Sequence, residues 1–448
     1  LKNTYNPLQR LHLYAALFIT PLLLTLTLSG IGYLFFTDVE NKIYQQEFFG
    51  KSEETEQQTL KQAVKEIEET YKGYSINKIS IMEEPYNDRI TVNDEDGNQL
   101  YVFLDENNQI VTSQIAKYTY SNVMRNIHSS LFTENTIINY LVELTACWTI
   151  FMIVSGTYML VKKKLITNKN KKLRFQKWHA LLGLIVAIPL VVIVLTGIPW
   201  SAFMGSHISK LGEDYPNLGH TELRYNPPNS DVNEIPWATR SKKEPMSENG
   251  EHKGHADRHG ASSSVTDLPN QMTVDEIGNI AQKEGVSKPF SIVYPSDDKG
   301  VFTISKGSNT GVTGLDVSPY EETTIYYDQY SGKKLGKVDY EEYGLIGKWF
   351  TWGIPLHEGH LFGLPNKIMN LLACIAFLGT IIIGFISWIK RTKSFTKILP
   401  KRINKPLSLS VILMLVILGI LMPLFGLSII LVLIIEYILY FKKKKAVS

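Results

Sequence analysis

Five stretches of the chain are apolar almost without interruption: residues 11–36, 137–161, 178–200, 368–389 and 407–441. Each reaches or exceeds the roughly 20 residues that an α-helix needs to cross a bilayer's hydrocarbon core. The first is too long for a typical signal-peptide core and has no small-residue cleavage site after it, so it reads as a retained helix. Between these stretches the periodicity changes. Residues 57–72 (QQTLKQAVKEIEETYK) have helical spacing, and strand-like alternation follows at 76–82, 89–93, 99–104 and 109–115, with turn signals at Asp96-Gly97 and Glu106-Asn107. A similar order recurs later, with a helix over 273–285 (TVDEIGNIAQKEG), strands near 289–294, 300–305 and 323–328, and a turn at Ser331-Gly332. Residues 226–270, rich in Pro, Ser, Asn, His and charge, read as a flexible loop. The pattern predicts a polytopic membrane protein with two α+β modules outside the bilayer. The mean hydropathy of −0.04 would by itself suggest a soluble chain.

Charge decides the orientation. Residues 162–177 carry eight Lys/Arg and no acid, and residues 390–405 carry seven and no acid. With Lys2, Arg10 and the four lysines at 442–445 this makes 21 positive charges without a carboxylate, which the positive-inside rule assigns to the cytoplasm. Residues 37–136 and 201–367 hold 25 Lys/Arg against 41 Asp/Glu and are expected outside. Both termini are then cytoplasmic, in a multi-pass protein of a bacterial cytoplasmic membrane. The expected organisation is a first membrane helix over 1–36, a first module over 37–136, a second helix over 137–161, a basic loop over 162–177 and a third helix over 178–200. The second outer region (201–367), a fourth helix (368–389), a second basic loop (390–406), a helical hairpin (407–441) and a basic tail (442–448) follow. The hairpin returns the tail to the cytoplasm around Pro423 and Gly426 and favours six crossings, although its arms are short enough for a turn inside the membrane. Two cysteines, Cys147 and Cys374, lie in apolar stretches, so the polar regions contain neither a disulfide framework nor a thiolate zinc site. Membrane lipids are expected around the bundle, and no nucleic-acid partner is expected.

The first and third apolar helices share a spacing. His12 is followed 17 residues later by Ser29-Gly30 and then Tyr33, and His179 is followed 17 residues later by Thr196-Gly197 and then Trp200. The second and fourth correspond too. Gly156 and Gly384 each precede a lysine by six positions, and His128 and His357 stand 28 and 27 residues before those glycines. The chain reads as two parallel helix–module–helix repeats, related by an axis along the membrane normal, plus the C-terminal hairpin. Such an axis places His12 level with His179 and His128 level with His357. Two imidazoles from facing helices are the arrangement that clamps a metal or a haem iron from both sides. The Ser/Thr-Gly pairs, with Gly183, Gly363 and Gly384, permit a close approach of either a flat macrocycle or a neighbouring helix.

Other polar residues leave alternatives open. His360 lies three residues after His357 and competes for the same partner. Glu143, about two turns inside the second helix, would relay protons, touch a cofactor edge, or hydrogen-bond within the bundle. Glu436 reads as an interfacial residue reaching toward the headgroups. His252, His255 and His259 have metal-collecting spacing, or are part of a solvated loop. A metal pore through Glu143 and the histidines is disfavoured, because the midplane segments ITPLLLTL and AIPLVVIV are apolar. No nucleotide-binding glycine motif follows a predicted strand.

Four segments carry a family resemblance: LHLYAALFITPLLLTLTLSGIGYLF; NIHSSLF with ELTACWTIFMIVSGTYML; KWHALLGLIVAIPLVVIVLTGIPWS; and LHEGHLFGLPNKIMNLLACIAFLGTIIIGFISWIKR. In this order they resemble the PepSY-associated transmembrane helix family, and within it the bacterial inner-membrane ferrisiderophore and iron-uptake reductases. DQYSGKKLGKVDYEEYGLIGKW is similar to the closing strands of a PepSY module. The resemblance implies a di-haem b-type protein, with haem ligands at His12, His128, His179 and His357 and His360 as competitor. Its implied activity is haem-dependent reduction of an extracytoplasmic ferric chelate (siderophore) with electrons from a quinol or a cytoplasmic reductase. The family also implies an alternative, a regulatory protein whose PepSY-like modules bind an envelope peptidase or another partner while the histidines only pack.

Overall fold

The computed structural model describes residues 5–133, 135–163, 173–231, 266, 268–307, 317–392 and 407–445. In chain order its principal helices are α1 (Tyr5–Tyr33), α2 (Leu60–Thr70), α3 (Tyr120–Ser130), α4 (Thr136–Lys163), α5 (Arg174–Gly197), α6 (Phe203–Asp214), α7 (Val274–Lys283), α8 (Leu345–Glu358), α9 (Leu364–Thr392), α10 (Leu409–Leu421) and α11 (Pro423–Lys445). The strands are β1 (Tyr74–Ile81), β2 (Asp88–Asp94), β3 (Gln99–Leu104), β4 (Ile110–Ile115), β5 (Phe290–Val293), β6 (Val301–Lys306), β7 (Thr323–Asp328) and β8 (Lys334–Asp339). Two compact units result. One comprises Leu1–Leu34, Met124–Ile208 and Leu356–Ser448, and the other Phe35–Val123 and Ser209–Pro355.

The first unit is a helical membrane bundle. Four helices are long and apolar enough to cross a bilayer, over Pro7–Tyr33, Thr136–Lys162, Arg174–Trp200 and Leu364–Lys390. In it α1 packs on α4, and α5 on α9. Their lipid-facing sides remain apolar, as Phe18, Ile188 and Ile382 illustrate. The hairpin corrects the expectation of six crossings. With 13 residues, α10 is about 20 Å long, short of the roughly 30 Å hydrocarbon core. Ser410, at its start, meets the Tyr158 hydroxyl near the end of α4 at 2.9 Å. Beyond the turn, Phe425 packs on Trp148 and Phe151, and Trp148 Nε1 donates to Ser428 Oγ at 3.0 Å, both at the middle of α4. Further on, Glu436 receives hydrogen bonds from Arg10 and Tyr14 near the start of α1. Both arms therefore run between one end of the bundle and its middle. The turn is buried in protein at Met422 and Phe425, where irregular backbone at membrane depth is tolerated. Gly419 and Gly426 allow the closure, since a Cβ on Gly426 would stand 2.7 Å from the Gly419 carbonyl oxygen.

The second unit is a single antiparallel sheet of eight strands in the order β4-β3-β2-β1-β5-β6-β7-β8. Each predicted module contributes a four-stranded meander. The sequence did not indicate that β1 would pair with β5, with Ile79 opposite Ile292 and Ile81 opposite Phe290. An edge strand offers a row of unpaired backbone groups, and here each meander's open edge is satisfied by the other. Helices α2 and α7 lie over one sheet face and share its core, with Val64, Ile67, Val274 and Ile277 against Ile79, Ile90, Ile292 and Ile304. Both helices begin with a reciprocal capping box, Thr59 with Gln62 and Thr273 with Glu276. The Asp275 carboxylate also accepts from the Leu60 and Lys61 amides at 2.8 Å, so one module caps the helix of the other.

Candidate functional site

Four histidines of the bundle meet in two pairs. Near the start of α1, His12 faces His179 in the second turn of α5, with ring centroids 6.4 Å apart and planes at 86°. His128, near the end of α3, faces His357 in the last turn of α8, with centroids 6.0 Å apart and planes at 71°. Each imidazole lies against a glycine of a neighbouring helix: His12 on Gly156, His128 on Gly30, His179 on Gly384 and His357 on Gly197. The small residues singled out by the repeat therefore make room for the rings themselves. Gly183 meets Thr380, whereas Gly363 (φ +59°) serves a turn and not a helix contact.

Hydrogen bonds define the tautomer of every ring. The Nδ1–H of His179 donates to the Thr380 carbonyl at 2.9 Å, and that of His357 to the Ile193 carbonyl at 2.8 Å. A carbonyl only accepts, so both protons sit on Nδ1. His12 Nδ1 lies 2.8 Å from Ser155 Oγ, and His128 Nδ1 lies 3.1 Å from Ser29 Oγ. Each serine hydroxyl donates to a carbonyl one turn back, Met152 and Thr25 respectively, and so accepts from the imidazole. All four Nε2 atoms then present a lone pair, and among the described residues none has a hydrogen-bond partner. This is the usual state of a ligating histidine, with one nitrogen oriented by a donated bond and the other open to a metal. At the second pair, burial pushes His128 down to about 4, helped by the facing His357, and burial also lowers His357, so both rings are neutral.

The spacing fits a shared metal. Two metal–nitrogen bonds of roughly 2 Å, with the distance from each nitrogen to its ring centre, come to about 6 Å. Among the described residues no group of three or more His, Cys, Asp or Glu could hold a metal ion. Each pair thus supplies two nitrogens, which suits a metal whose remaining donors come in a planar macrocycle. Around the first pair there is a cavity of about 640 Å³, walled by Gly156, Gly384 and largely apolar side chains of α1, α4, α5 and α9. That size and lining are those of a cofactor pocket.

The other candidates fall elsewhere. His360 is buried and turned away from His128, with its Nε2 3.1 Å from Glu358 Oε2. Burial raises the Glu358 carboxyl, but the bond and charge of His360, with Arg125 and His357, bring it below the usual carboxylate range. Arg125 itself donates to the Tyr33 hydroxyl at 2.8 Å. Buried Glu143 joins neither pair: it accepts from the Phe203 amide at 2.7 Å and the Met204 amide at 3.1 Å, capping α6. Of its alternatives, this is the hydrogen bond within the bundle. Replacing Glu143 with leucine leaves those amides unpaired and is expected to cost about 1–3 kcal/mol of stability without altering either histidine pair. Thermal unfolding checks this, and unchanged stability with impaired electron transfer would reinstate a relay role. Glu436 is not a free headgroup-seeking residue but an ion-pair partner of Arg10 at 2.8 Å. His252, His255 and His259 lie outside the described residues, as does most of the 226–270 loop.

A family model described as the PepSY-associated TM region matches residues 9–391. The chain belongs to this family. No curated protein sequence matches it. The PepSY-associated TM match contains all four paired histidines and their glycines, while the hairpin from Leu409 onward lies beyond it. Ser155, Thr380 and Ile193 were not foreseen from the sequence. Two of the four ring anchors are backbone carbonyls, which carry no side-chain signal, and the position matching Ser155 in the second repeat is Ile383.

Proposed function

We propose that this PepSY-associated TM protein is a di-haem electron carrier of a bacterial cytoplasmic membrane that reduces a ferric chelate on the outer side. The observation that carries this reading is the set of four imidazoles, paired at metal-sharing distance, with every Nδ1 proton committed and every Nε2 open. A haem at each pair would supply a one-electron iron couple whose potential follows from axial ligation and burial. His12 and His179 would hold the first, and His128 and His357 the second. Thr380, Ile193, Ser155 and Ser29 orient the rings, and the glycines keep side chains out of their way. The matched spacings are those of a tandem duplication, with one pair near each membrane face. The basic segments place the first pair on the cytoplasmic side, where a quinol or a cytoplasmic reductase would deliver electrons. Reduction releases the more weakly chelated ferrous ion for uptake. In the alternative, a regulatory protein whose histidines only pack, four ring nitrogens stay without partners inside the bundle, at a cost in unpaired polar groups.

The test is the absorption spectrum and haem content of the purified full chain. Two haems per chain are expected, with a Soret band that shifts on dithionite reduction and returns when a ferric chelate and a ferrous trap are added. Absence of a Soret band favours the regulatory reading, and a reduced protein that no ferric chelate reoxidises removes the reductase activity while leaving the haem sites.

A further inference from the structure

We infer that Gln9 and Gln176 form a carboxylate clamp at one end of the first histidine site, taking the two propionate groups on the edge of a haem. The inference rests on the haem reading above and extends it to the cofactor's polar edge. Gln9 stands three residues before His12, and Gln176 three before His179, so each shares a helix face with its histidine and the motif Q-x-x-H occurs once in each repeat. Both line the 640 Å³ cavity. Its walls are otherwise largely apolar, and among the described residues neither carboxamide has a hydrogen-bond partner. Two unpaired amides at matched positions in an apolar pocket are costly unless something accepts from them. The acceptor's charge follows from the surroundings. Both glutamines lie in the opening turns of their helices, where unpaired backbone amides and the helix dipole favour an anion, and Arg10 and Lys177 adjoin them in sequence. A planar macrocycle seated between His12 and His179, with two carboxylates on one edge, meets both requirements. A neutral dicarbonyl such as a quinone would accept from the amides but would gain nothing from the positive helix ends.

The experiment compares haem with its dimethyl ester, in which both propionates are neutral and blocked. Binding is titrated on the full-length apo-protein carrying His128→Ala, which leaves the first pair to ligate. Haem is expected to bind at least about tenfold more tightly than the diester, since hydrogen bonds to charged groups are the stronger kind. Gln9→Leu with Gln176→Leu should abolish that preference by weakening haem while leaving the diester unchanged, which also shows that the variant folds. An equal loss for both ligands would assign the glutamines a structural role and overturn the clamp, as would an unaltered preference. A His128→Ala protein that binds neither ligand would instead overturn the haem reading of the first pair.

Discussion

Replacing His12 and His179 together with alanine is expected to remove one of two haems per chain, and replacing His128 and His357 together to remove the other. The pairs are formed by different helices, α1 with α5 and α3 with α8, and no ring of one pair is in ring contact with the other. Loss of one site therefore leaves the second set of anchors intact. A single His→Ala variant should leave five-coordinate, high-spin iron at its site, visible as a shifted Soret band and a high-spin electron paramagnetic resonance signal. His360→Ala should retain both haems, because its Nε2 is engaged by Glu358. Haem-to-protein stoichiometry checks all three. A His12, His179 double variant with full haem content would remove these residues as ligands, and a His360 variant that loses a haem would exchange the roles of His357 and His360.

Alanine at Gly384 and Gly197 is expected to be far more damaging than alanine at Gly30 and Gly156. A Cβ at Gly384 would lie 2.8 Å from His179 Nδ1, and one at Gly197 2.9 Å from His357 Cε1. Neither ring can retreat freely, because each Nδ1 is tied to a helix carbonyl, Thr380 and Ile193 respectively. Moving the ring breaks that bond and turns Nε2 away from its partner. At Gly30 and Gly156 the nearest histidine atom would be 3.5 Å away, an ordinary contact, and alanine there gains up to about 1 kcal/mol of helix propensity over glycine. Gly384→Ala and Gly197→Ala should lose at least about tenfold in haem affinity, while Gly30→Ala and Gly156→Ala stay within about threefold of the parent and are equally or more stable. Haem titration with thermal unfolding of the four variants checks this. Equal behaviour of all four would mean that the glycines serve helix packing alone.

Local pattern revealed a great deal here. Apolar runs marked the four spanning helices to within a few residues, and alternation marked seven of the eight strands because each module face is half buried. The repeated spacings selected His12, His128, His179 and His357 from ten histidines before any contact was visible. The choice between His357 and His360 was different, since both would share a face if the helix continued. It ends at Glu358, where Gly359 turns left-handed at φ +87° and Asn370 holds the Leu356 and His357 carbonyls at 2.9 and 3.1 Å. His360 is thereby beyond the helix and off its face.

The sequence alone determined that this is a membrane protein with two strand-rich inserts, and which residues stand at equivalent positions in its halves. Hydrophobic period, charge segregation and repeat spacing are properties of neighbouring residues, and they survive without knowledge of the fold. Only the tertiary structure decided which histidines face each other, that two of the four rings lean on backbone carbonyls, that the two meanders fuse through β1 and β5, and that the hairpin turns at the middle of the bundle. Each of these depends on groups far apart in the chain, whose meeting is governed by packing volume and by the satisfaction of buried hydrogen bonds.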